Sequence, residues 1–283
     1  GRRRTTTRRT TSPRDVRTGF AGHEGWNRYD VPSDRGDDPL TLLTAAGAFA
    51  TAAFAGVLRG FTGFGFALAA VPALTLVATP VEVVPCVMVL QVVAGVQLIG
   101  RTWSDVDWSA VRPLLLAALI ATPLGTIALD GIPADPMRAV IGVTVLAAVA
   151  VLASGVRLHR EPTLAMRLGI GALSGLLNGS TAMSGPPVIL YFLATQRSAA
   201  SSRASMLTYF FVLSVAGGLS VAVAGLVTWR TLVLAALMFP ALTIGNALGD
   251  RLFTRAPSEL YRRVAIVVLL VLAVLSIVRA VVR

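Results

Sequence analysis

The sequence predicts an all-α fold, a polytopic bundle of about eight and up to ten membrane segments, built as two homologous halves with broken helices. Three observations carry this. First, 55% of the 283 residues are hydrophobic and only 14% are charged, against roughly 25% charged in soluble domains; a soluble chain needs more polar surface to cover its core. Second, nine stretches run without Asp, Glu, Arg or Lys: 39–58, 60–81, 83–100, 113–129, 139–156, 168–196, 204–229, 231–249 and 264–278. A hydrocarbon core of about 30 Å takes roughly 20 helical residues, and lipid leaves backbone groups no partner outside a helix or a closed barrel. The runs do not alternate as barrel strands do. Third, parts of the chain recur at a fixed spacing.

Taken in order, residues 1–38 stand apart, with nine Arg and six acidic residues. The segment lacks the apolar stretch of a secretory signal and reads as a disordered, solvated arm. Residues 39–160 form the first transmembrane repeat and 161–283 the second. Every basic residue in the chain is Arg, and the net charge is +11. In so apolar a chain the excess fits cationic loops beside an anionic leaflet, not nucleic-acid binding. A single cysteine, Cys86, excludes an internal disulfide, and His23 and His159 sit in polar segments. No metal site and no cofactor is expected.

The duplication shows when the chain is slid by 115 residues: Gly56, Leu58, Gly60, Ala67 and Pro72 then fall on Gly171, Leu173, Gly175, Ala182 and Pro187. A second block pairs Asp107-Trp108 with Thr228-Trp229, and sets Gly125 and Asp130 against Gly245 and Asp250 at a spacing of 120. Duplicated halves with Gly/Pro-interrupted segments in matching places point to a transporter site. The Gly-x-x-x-Gly pairs 56/60 and 171/175 also suit close helix packing.

The run 168–196 has 29 residues, about 43 Å if helical at 1.5 Å per residue. Its middle, from Asn178 to Pro187, holds poor helix formers and two prolines, so the helix is expected to break there. A break exposes an N-terminus that attracts anions, with Pro186 and Pro187 suited to a new first turn. Asn178, Gly179, Ser180, Thr181, Ser184 and Gly185 are the substrate-binding candidates of this half. Thr62, Gly63 and Gly65 are those of the first half, with Pro72 as its helix-breaking proline. Arg59 is the sharpest single candidate, a charge between two apolar runs with Glu82 the nearest downstream acid. Such a charge needs a partner or water, and a permanently charged Arg suits an anion. The alternative is a loop Arg between helices over 40–58 and 61–78, snorkelling to the interface. In the repeat, Ser174 is its counterpart.

These blocks, 56–72 and 171–187 with Ser184-Gly-Pro-Pro187, together with the Trp-led fourth segments, resemble the sulfite exporter (TauE/SafE) family of permeases. The resemblance spans 40–281 and implies a duplicated permease for sulfite, organosulfonates or related sulfur-containing or organic anions. Phe64 and Phe66 stand where many members carry further glycines. The expected function is therefore a permease moving a small anion by alternating access, in the cell membrane as a multi-pass protein of a bacterial inner or plasma membrane. Its partners are a small anionic substrate and the lipid bilayer, with no nucleic acid; a homo-oligomer stays open. The rivals are a non-transporting scaffold or receptor, and a membrane-embedded enzyme, which would need a nucleophile with its base or metal ligands within the membrane.

Overall fold

The computed structural model describes residues 1, 42–62, 65–99, 103–154, 162–194, 198–253 and 258–281. The Arg-rich arm, Gly63, His23 and His159 lie outside the described residues. Within them the chain is helical throughout, with no strand. Five helices come from the first half: α1 (Leu42–Thr62), α2 (Phe66–Thr75), α3 (Pro80–Ile99), α4 (Trp108–Gly131) and α5 (Ala134–Ser154). Five follow in the second: α6 (Leu164–Thr181), α7 (Gly185–Ala194), α8 (Ala199–Val223), α9 (Trp229–Phe253) and α10 (Ser258–Val281). In each set the second helix has ten residues, about 15 Å, half of a bilayer's hydrocarbon thickness.

Among the described residues, four helices contain segments long and apolar enough to cross a membrane: Trp108–Gly131, Ala134–Val151, Ser201–Val223 and Trp229–Leu252. Their outward positions carry exposed apolar side chains such as Ile120, Ile127, Leu219 and Ile244, the arrangement of a helix bathed in lipid. Several polar side chains inside are satisfied locally. Thr122, Thr144, Ser180, Thr181, Ser214 and Thr243 each donate a hydroxyl to the carbonyl four residues back, which removes an unpaired donor from an apolar setting. The fourth helices start alike. Asp107 accepts from the N–H groups of Ser109 and Ala110, and Thr228 from that of Thr231, so each Trp is the first residue of its helix.

Lipid gives helices no hydrophobic reason to associate, so close backbone packing must hold them. Glycine supplies it twice, in the same way. α1 packs on α9 and α4 packs on α6. A Cβ built at Gly56 would overlap Leu242 O at 2.6 Å and press on the Asn246 N–H, and one at Gly245 would overlap Ala53 O. Correspondingly, a Cβ at Gly179 would overlap Thr122 O and press on Thr126 N, and one at Gly125 would overlap Leu176 O.

This corrects the register read from the sequence. Gly245 follows Gly125 by 120 residues, as expected, but Gly56 shares its contacts with Gly179, a spacing of 123 (179 minus 56) instead of 115. Gly171 and Gly175, matched to Gly56 and Gly60 by sequence, instead sit against Leu114 O and Ala118 O, further along α4. At this spacing Arg59 corresponds to Ala182 (182 minus 59 is again 123), and not to Ser174. A glycine-rich, leucine-rich helix offers several near-equal sequence matches, and only the surface it faces chooses among them.

Candidate functional site

Two interruptions define the site. The first lies between α1 and α2. Arg59 is in the last turn of α1, inside the helix, so it is not a loop residue between two full-length helices. Gly65 caps α2 with φ −73 and has no side chain to accept from the helix's first N–H groups. Pro72 lies within α2 and does not break it, which corrects its expected role. Membrane helices absorb such prolines; Pro85, Pro123 and Pro240 are likewise internal to α3, α4 and α9.

The second interruption is Ala182, Met183 and Ser184, between α6 and α7. It falls where the sequence placed it, with Pro186 and Pro187 in the first turn of α7. Ala182 turns the chain with φ 56, a left-handed conformation, and its N–H still bonds Asn178 O at 2.8 Å. A residue with a Cβ pays roughly 1–2 kcal/mol for that conformation.

The end of α1, the first turn of α2 and the second interruption border one cavity of about 30 Å³, larger than the roughly 10–15 Å³ a single water needs. Arg59 of α1 and Phe66, Ala67 and Leu68 of the first turn of α2 line it on one side. Ala182, Met183, Ser184 and Gly185 line it from the second interruption, and Gln91, Leu207, Phe210, Phe211 and Ser214 from α3 and α8. Arg59 and Ala182, equivalent in the glycine register, thus face the same space.

The polarity of the lining is one-sided. Among the described residues Arg59 makes no hydrogen bond or ion pair, and no carboxylate lines the cavity. Ser184 is 6% exposed, and no described group engages its hydroxyl. The uncapped start of α2 adds the positive end of a helix dipole. Phe66, Met183, Leu207, Phe210 and Phe211 complete the wall, so a charge inside is shielded from bulk water and its interactions strengthen. Among the described residues the one formal charge on the lining is the positive charge of Arg59, which favours an anion.

A family model, Sulfite exporter TauE/SafE, matches residues 48–276. The chain belongs to the sulfite exporter TauE/SafE family. No curated protein and no solved structure matches the chain. As a member of this exporter family it is a multi-pass membrane transport protein.

Of the residues singled out from this TauE/SafE member's sequence, the structure brings Arg59, Ser184 and Gly185 to the cavity, with Gly65 directly preceding the α2 turn that lines it. Thr62 ends α1, and its side chain is outside the described set, as is Gly63. Asn178, Gly179, Ser180 and Thr181 do not line the cavity. Asn178 Nδ2 is spent on Leu213 O of α8 at 2.9 Å, Gly179 is pressed onto α4, and Ser180 and Thr181 donate to Leu176 O and Leu177 O. Gln91 and Ser214 were missed. Gln91 did carry a signal, as an amide inside the charge-free run 83–100.

Proposed function

We propose that this protein is a cell-membrane permease for a small anion, of the class of sulfite, organosulfonates and related sulfur-containing or organic anions, bound in the Arg59 cavity and moved by alternating access. The observation that carries the reading is the Arg59 guanidinium, without a partner among the described residues, in a cavity whose lining there holds no carboxylate. A buried charge without a protein partner is stabilised by an opposite charge from the substrate. Arginine also presents a planar fork that matches an oxyanion with paired hydrogen bonds. Ser184 and the first turn of α2 would provide further donors. The cavity's size favours anions of a few heavy atoms, and its aromatic wall tolerates a short organic group. The two halves act as the transmembrane repeats, 39–160 and 161–283. A transport role is supported by the family.

Uptake of radiolabelled sulfite into proteoliposomes tests this, with sulfate, sulfoacetate and acetate as competitors. Saturable flux is expected, and Arg59→Ala is expected to lower it by about a hundredfold, the scale of losing a charge-assisted pair. Arg59→Lys should recover part of it. Flux no greater than in empty liposomes for any of these anions would sink the assignment.

A further inference from the structure

The interruption between α6 and α7 carries a hazard for an anion site. Ala182, Met183 and Ser184 fall between the two helices and all line the cavity. A bare carbonyl there would turn a partial negative charge toward the substrate, at a dielectric where such terms are large. Two of the three carbonyls are taken by side chains from elsewhere in the fold. Gln91 Nε2 of α3 donates to Ala182 O at 3.2 Å. Ser174 Oγ of α6, fully buried, donates to Ser184 O at 2.7 Å. Neither bond belongs to a helical ladder, and the first ties the left-handed residue itself to a helix of the other half.

We propose that Gln91 and Ser174 are positioning residues of the anion site, neutralising the Ala182 and Ser184 carbonyls so that these two residues meet an anion with the Ser184 hydroxyl instead of with their carbonyl oxygens. The inference rests on the cavity being the anion site. It gives a role to Ser174, which the register removes from equivalence with Arg59, and to Gln91, whose amide sits in the cavity wall.

Gln91→Met keeps the side chain's length and removes its donor; Ser174→Ala removes the hydroxyl. Equilibrium binding to the purified full-length protein in nanodiscs would use two probes: sulfite at alkaline pH, as a dianion, and methanesulfonate, a monoanion. Each variant is expected to bind sulfite about tenfold more weakly, the scale of one exposed carbonyl, with a smaller loss for methanesulfonate. That charge dependence separates electrostatic positioning from a merely loosened site, which would weaken both probes equally. Equal losses, or binding like the unmodified protein, would overturn the proposal while leaving the anion site standing, provided Arg59→Ala abolishes binding. If the unmodified protein binds neither probe, the anion site fails and the positioning role with it. The two variants alter different helices, so one remains informative if the other does not fold.

Discussion

Arg59 and Arg138 show what a partner does to a charge inside a helical bundle. Arg138, 4% exposed, has all three guanidinium nitrogens engaged: Nε donates to Thr75 O at 3.0 Å, one terminal nitrogen to Ala78 O at 3.3 Å, and the other pairs with Asp135. It closes the C-terminal end of α2, where a cation complements the helix dipole. Arg59 has none of these partners among the described residues, and it faces a cavity. One arginine is structural and the other is free to bind, a distinction no pattern of residue types makes. The cavity wall is also tuned by one residue outside it. A Cβ at Gly95 of α3 would overlap the ring edge of Phe211, which lines the cavity on its other side. The overlap is with a side chain that can move, so Gly95→Ala should fold and narrow the site. Sulfoacetate is expected to lose several-fold in competition while sulfite binding stays within about twofold, a methyl-sized change in a pocket being worth about 1–3 kcal/mol for the ligand that no longer fits. Competition curves for the two anions check this; equal losses would remove Phe211 from the size limit.

Among helices, the glycine contacts are the joints that hold. At Gly179 the obstruction to a side chain is the Thr122 carbonyl and the Thr126 N–H, both backbone, so nothing yields without separating α4 from α6. Gly179→Ala should destabilise the protein by about 2–3 kcal/mol, the upper range of overpacking. Gly131→Ala, at the end of α4 with open space around it, should have an effect within about 0.5 kcal/mol. Unfolding titrations in mixed micelles measure both, and similar values would discount the close-packing account. The elements were legible in the sequence to a large degree because lipid imposes one local rule, long charge-free runs, and a second, breaks where Gly, Ser and Pro gather. The break at 182–184 followed from those rules. Pro72 misled because a proline inside a membrane helix can be accommodated, and the first interruption lies nearer Gly65. The hydroxyls of Ser180 and Thr181 misled because side-chain type does not reveal that the carbonyl four residues back already holds them. Arg59 was legible because an unpaired charge in an apolar run has few roles open to it.

At the scale of the whole molecule, the joints cross the sequence halves. α1 of the first half is locked to α9 of the second, and α4 of the first to α6 of the second. A mechanism in which one half rocks as a block against the other would have to break both joints, each made of backbone against backbone. The motion consistent with the packing keeps α1–α9 and α4–α6 intact and lets the elements around the cavity shift. α3 and α8 meet there through side chains: Phe211 on Gly95, Met88 on Gly217, and Val92 beside Gly218. Side-chain contacts re-form after a small slide more readily than backbone contacts do. A Cβ at Gly218 would stand 3.5 Å from Val92 Cγ2, a γ position that the sulfur of Val92→Cys can take, which puts the two side chains within bonding reach. With Cys86 replaced by Ala, the pair Val92→Cys and Gly218→Cys is therefore expected to cross-link on oxidation and to arrest sulfite flux, with recovery on reduction. Spin labels at the exposed positions Phe54 of α1 and Leu248 of α9 should keep one distance distribution with and without substrate. Undiminished flux in the cross-linked protein, or a substrate-dependent α1–α9 distance, would return the moving boundary to the two sequence halves. Arrest with an unchanged α1–α9 distance would place it instead between bodies that each draw helices from both halves, with the Arg59 cavity at their contact.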